Sequence, residues 1–198
     1  MRRFIMTLAA LATISTATPA LAQFSESYKF LEAIRKKDGE KVTQALADPA
    51  STVINTRDVT SGETALHIVT NRRDLTWMQF LIAKGANVNA RDVKGVTPLV
   101  SAVNANFVEA VELLVGKGAR LDESNNSGET PLITAVHNRN VAVMRLLLKA
   151  GANPDRADNS GRTAKDYAKL AGGNLLTEIE NNAKPKSDAK AKSYGPKF

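Results

Sequence analysis

The chain has 198 residues, 43% of them hydrophobic, which is room for one or two ordinary domains with a core. It has no cysteine, so disulfides, thiol nucleophiles and thiolate metal sites are excluded together. Its net charge of +7 is carried mostly by its ends: Arg2 and Arg3 at one, five lysines against one acid in 183–198 at the other, leaving +1 for 23–182, and a body without a basic stripe interleaved with aromatics does not predict nucleic-acid binding.

The first 22 residues read as a leader. Arg2 and Arg3 precede an apolar run from Phe4 to Ile14 that is too short to cross a bilayer, and Ala20-Leu21-Ala22 fits a small-x-small cleavage site. The expected mature start is Gln23. No later apolar run approaches membrane-spanning length, so no membrane span is expected. Residues 23–54 follow as a helix pair: Phe30, Leu31 and Ile34 share one face, and Asp38 is placed to cap a second helix carrying Val42, Ala45 and Leu46. The charged outer positions suit the polar end of a stacked array.

From here the chain repeats. Gly62-Glu63-Thr64-Ala65-Leu66-His67 is followed at intervals of 33 residues by Gly95-Val96-Thr97-Pro98-Leu99, Gly128-Glu129-Thr130-Pro131-Leu132 and Gly161-Arg162-Thr163-Ala164. A second marker keeps step: Gly85-Ala86-Asn87, Gly118-Ala119-Arg120, Gly151-Ala152-Asn153. Within a unit, glycine permits a tight turn, threonine caps a short helix and proline occupies its first turn. A second helix carries a wide apolar stripe (Val108, Val111, Leu113, Leu114, Val115), and Gly118 or Gly151 ends it in the left-handed region. The units are 55–87, 88–120 and 121–153. Residues 154–182 form the closing repeat, where Lys165 replaces a leucine and Tyr167, Leu170, Leu175, Leu176 and Ile179 offer an apolar face. The lysine-rich tail 183–198 has too little apolar surface to order itself.

The unit resembles the ankyrin repeat, two antiparallel helices and a β-turn with a T-P-L-H-type signature, over roughly 25–182. The resemblance implies an all-α solenoid. The signature histidine survives only as His67, with Val100, Ile133 and Asp166 in its place elsewhere. The corner between the two helices, usually glycine in that family, carries Arg73, Asn106 and Arg139; asparagine tolerates a left-handed backbone, whereas the arginines should cost local stability.

Residues with chemistry are few. His67 lies in the repeat signature, where the resemblance implies ring bonds to backbone. His137 lies at a helix–helix corner without ligand-spaced partners, so no metal site is expected. Glu109 and Glu112 fall on an outward helix face. No nucleophile elbow, phosphate loop or zinc-protease motif occurs, so neither catalysis nor a cofactor is expected. Trp77 takes the second-helix position of Ala110 and Val143, which predicts core packing, with a partly exposed anchor as the alternative.

The resemblance further implies a binding surface made of turn tips and the inner face of the first helices. In this sequence those positions are Val59, Thr60, Ser61, Glu63, Asn71 and Arg72; Val93, Lys94, Val96, Asn104 and Ala105; Asn126, Ser127, Glu129, His137 and Asn138; and Asn159, Ser160 and Arg162. Val93 and Val96 form an apolar pair on a turn that needs none. The resulting reading is an exported, monomeric protein-binding module, an adaptor or modulator of the periplasm holding a protein partner. A secreted effector or inhibitor of a foreign protein, and a small hydrolase on a helical scaffold, are the alternatives.

Overall fold

The structure is a computed structural model and describes residues 19–48 and 50–183, with side chains from Glu26 onward. Most of the expected leader and all but the first residue of the expected tail lie outside these residues. Ten α-helices follow one another: α1 (Pro19–Lys36), α2 (Gly39–Ala45), α3 (Ala65–Asn71), α4 (Leu75–Ala83), α5 (Pro98–Asn104), α6 (Val108–Gly116), α7 (Pro131–His137), α8 (Val141–Ala150), α9 (Ala164–Ala171) and α10 (Leu175–Asn182), with a 3-10 turn at Val53–Asn55. The described residues contain no strand. Each pair packs as a hairpin, and the pairs stack so that α1, α3, α5, α7 and α9 line one side while α4, α6, α8 and α10 line the other.

Local chemistry sets each helix start. The Thr97 and Thr130 hydroxyls accept from the amides of Val100 and Ile133, with Pro98 and Pro131 at the first helical position. Asp38, Asp74 and Asn140 cap α2, α4 and α8 in the same manner. Burial supplies the rest. Leu66, Leu99 and Leu132 are sealed between helices of their own and adjoining units, as are Met78, Leu81, Leu114, Met144 and Leu147.

The turn glycines are demanded twice. Gly95 and Gly128 have φ of 76° and 82°, and a Cβ on either would lie 2.5 Å from atoms of the following turn, Asn126 or Asn159. Gly161, in the last turn, keeps the positive φ but faces open space. Successive turns are therefore in backbone contact along one edge of the array.

The four corner residues Lys37, Arg73, Asn106 and Arg139 have φ between 49° and 58°. The expected strain is present at the arginines, and it has a counterpart. The Arg73 guanidinium lies 5.3 Å from the Phe107 ring centroid, and Arg139 donates to the Ala171 carbonyl at 2.6 Å. Each reaches forward into the next unit, so the corner that loses local backbone freedom gains an inter-unit contact.

Three expectations are corrected. Leu170 is 70% exposed, and Leu176 is only partly covered; the closing repeat buries Leu175 and Ile179 instead. Leu170 occupies the helix-end position held in the earlier units by the exposed Asn71, Asn104 and His137. Trp77 is half-buried where Ala110 and Val143 are fully buried. Its indole packs against the core but is only partly covered, lying beneath Arg72 and edge-on to Phe80.

Candidate partner-binding surface

Two rows of side chains define the surface. The outer row is the turn edge. Each turn is built around an Asx residue whose side chain accepts amides inside its own turn: Asp58 from Thr60 and Ser61, Asp92 from Lys94 and Val96, Asn125 from Ser127 and Glu129, Asp158 from Ser160 and Arg162. The residue after the Asx projects at the tip. It is Val59, Val93, Asn126 and Asn159 in succession.

Backbone bonds run from tip to tip. The amides of Val93, Asn126 and Asn159 donate to the carbonyls of Ser61, Lys94 and Ser127 at 3.0, 2.9 and 3.1 Å. Where the tip is asparagine, its side chain adds a second bond: Asn126 to the Val93 carbonyl and Asn159 to the Asn126 carbonyl. Val59 and Val93 are 74% and 58% exposed, and valine offers no such bond.

The inner row is formed by the residue after each turn glycine and the residue eight positions further on, at the end of the following helix. Glu63 accepts from Asn71 at 3.0 Å, and Glu129 faces His137 at 3.5 Å. The same two positions in the unit 88–120 are Val96 and Asn104. Asn104 is exposed and its side chain has no hydrogen bond within the described residues. In the last unit they are Arg162 and Leu170, where Arg162 lies 5.9 Å from the Tyr167 ring. Tyr167 also stacks edge-on against His137 and donates its hydroxyl to Asp158 at 2.6 Å.

The acids of this surface are committed. The backbone amide of Ser61, the Arg35 guanidinium and the Thr60 amide hold the Asp58 carboxyl down at about 2. The Tyr167 hydroxyl, with Ser160, holds Asp158 well below the usual carboxylate range. His67 bonds backbone as its place in the signature implies. Its Nδ1 accepts from the Thr64 amide at 3.2 Å and its Nε2–H donates to the Val96 carbonyl at 3.0 Å, which fixes the neutral tautomer; burial lowers its pKa. Asp166 makes the same return bond to the Thr163 amide in the closing repeat.

The structure brings most of the predicted surface residues together on this side. Val59, Thr60, Val93, Lys94, Asn104, Ser127, His137, Asn159, Ser160 and Arg162 are exposed there. Two placements are corrected. Arg72 folds back, bonds the Ile34 carbonyl and Asp74, and covers Trp77; it caps the C-terminal end of α1. Val96 is partly buried, because its amide is drawn to Asp92 and its carbonyl is shared by Asp92 and His67. Asn138 is exposed, but its amide is spent on the Val103 carbonyl. Tyr28 and Arg57 were missing from the predicted set. Tyr28, 63% exposed on α1, borders a groove with Leu31, Arg57 and Val59. An aromatic one turn before the buried Leu31, on a helix whose outer positions are charged, was the available signal.

Among the described residues no group of three or more histidine, aspartate or glutamate side chains converges to hold a metal, and no helix is long and apolar enough to cross a membrane. The fold and its bonded turn edge define a helical-hairpin repeat scaffold, a class whose units present a continuous surface. Family models for ankyrin repeats match residues 30–125 and 113–168, and the chain belongs to the ankyrin-repeat family. No curated protein matches the chain.

Proposed function

We propose that the chain is a non-enzymatic protein-binding module that holds a folded partner on its turn edge and inner helices, centred on the unit 88–120. Ankyrin repeats are in general protein–protein interaction modules. The observation that supports the placement is that this unit leaves its polar inner side chain to solvent. Its neighbours pair their inner positions internally, Glu63 with Asn71 and Glu129 with His137, whereas Asn104, and Lys94 in the turn of the same unit, have no internal side-chain partner among the described residues. Groups held rigidly and left without partners are those a second protein can use. We further propose export to the periplasm, resting on the basic start, short apolar run and Ala-x-Ala ending of residues 1–22.

Affinity capture from native extract tests the binding reading. Asn104→Lys with Lys94→Glu is expected to abolish capture while leaving circular dichroism and the melting curve unchanged. Capture that survives this pair but fails on changing Glu109 and Glu112 would move the interface to the outer helices. N-terminal sequencing of the exported protein is expected to begin at Gln23; a protein retained in the cytoplasm with Met1 would overturn the export proposal.

A further inference from the structure

The outer layer of helices has an open junction. α4, α6, α8 and α10 pack in series, whereas α2, only seven residues long, packs on α1 and stands apart from α4. Between α2 and α4 lies a groove of about 220 Å³, lined by Gly39 and Thr43 on one side and by Thr76, Trp77 and Phe80 on the other. Ala110 and Val143, at the position of Trp77 in the next two units, are completely buried. Trp77 is far larger than either and is still only partly covered. Gly39 helps to keep the groove open. It is the first residue of α2, its φ is not left-handed, and a Cβ there would meet nothing within 4 Å. Gly95 and Gly128 are required by their turns; Gly39 is required by nothing in the fold, and most other residues would favour the helix more.

The five lining residues carry no charge, and the rim carries both signs, Asp38 beside Lys41 at 2.8 Å and Asp74 beside Arg72 at 3.2 Å. Shape and apolar burial therefore select the occupant. A cavity of about 150 Å³ takes a benzene ring, so this groove has room for one large apolar side chain. The rest of the chain shows what closes such a space: at every later junction of the outer layer, one outer helix packs directly on the next. We infer that the α2–α4 junction seats a helix of a protein partner, which lies across it as an added outer helix and places one leucine, methionine or phenylalanine side chain between Gly39 and Trp77. The seat is on the outer helices, away from the turn edge and inner row, and does not rest on the surface proposed above.

Trp77 is the only tryptophan of the chain, so its emission reports on the groove. Phage panning of a helical-peptide library without tryptophan on the full chain, with the Gly39→Leu protein as counter-target, tests the inference. Gly39→Leu fills the groove and should not lower the melting midpoint, because its Cβ is unobstructed. Thr43→Leu, which fills the groove from the next turn of α2, serves as the second variant. Enriched peptides should carry Leu, Met or Phe at i and i+3 or i+4, the spacing of a helix laid in a groove. A synthetic peptide of that kind should shift Trp77 emission to the blue. It should bind either leucine variant about tenfold or more weakly, as expected for loss of a central anchor. Its affinity should change little with salt, since no charge is screened. No enrichment, equal binding to both leucine variants, unmoved emission, or binding that collapses as salt rises overturns the inference. So does a blue shift produced by phosphatidylglycerol vesicles and abolished by Gly39→Leu when no peptide binds, which would make the groove an acyl-chain site. Native-partner capture that needs Asn104 and Lys94 should be indifferent to Gly39→Leu, so the two readings stand or fall separately.

Discussion

His67 and Asp58 show how single side chains tie stability to pH. His67 is buried with a lowered pKa, so the unfolded chain binds the extra proton and stability falls as pH drops below 6.5. His67→Val, the residue the next unit carries as Val100, should cost about 1 kcal/mol for the lost bond and flatten that slope in urea unfolding. Asp58 titrates at about 2 instead of 3.8, so its contribution is complete above pH 3.8 and lost as pH falls toward 2. Asp58→Asn should keep the turn, since Asn125 already performs the role, and remove part of the acid limb. The turn glycines Gly62, Gly95, Gly128 and Gly161 were legible from spacing alone. The fate of Arg72 and Val96 was not. A long side chain can fold back onto a neighbouring helix end, and a turn residue can be held by its backbone, without either leaving a trace in a repeat alignment.

At the level of the helix hairpin, the corners and the core leucines respond differently to change. Arg139→Gly should be more stable than Arg139→Ala by about 1–2 kcal/mol, because both lose the bond to Ala171 but only alanine keeps the left-handed strain. Equal thermal midpoints for the two would show that the corner is unstrained. Leu99→Ala should cost about 2–5 kcal/mol, the usual range for a buried leucine. It touches two unit interfaces, whereas Ile179→Ala, in α10 at the end, touches one and should fray only the closing repeat, as amide exchange confined to α9 and α10 would show. Helix order, caps and core faces could be read in advance because the same local solution recurs at a fixed interval. The N-terminal end escaped that logic. Tyr28 on α1 has no counterpart at the repeat interval to reveal whether it is covered, whereas Leu170 shares its position with Asn71, Asn104 and His137, whose polarity pointed to the exposure it shows.

Across the whole molecule, cohesion is a sum of neighbour contacts, with no central core to which all units report. The outer helices add ion pairs to that sum, the firmest being the two-pronged contact of Arg145 with Glu178 at 2.6 and 2.7 Å. Arg145 is half exposed, so Arg145→Ala should lower the melting midpoint only slightly. The binding surface was legible where it follows the repeat. Its asymmetry, bonded asparagines at one end and bare valines at the other, emerged only once the turns were seen to touch.

That contact between turns gives the array a mechanical grain. The junction of the first two turns is held at its tip by the Val93 amide bond and behind the tip by the His67 bond to the Val96 carbonyl, while each of the next two junctions carries the amide bond and an asparagine side-chain bond at the tip itself. Bending the solenoid open along this edge loads the tips first, so the first tip should part before the others while His67 keeps its unit joined to the next. The N-terminal turn is then a compliant jaw beside a stiffer one. A partner that wedges there would meet a surface able to change its curvature, and would hold the array in whichever curvature fits it.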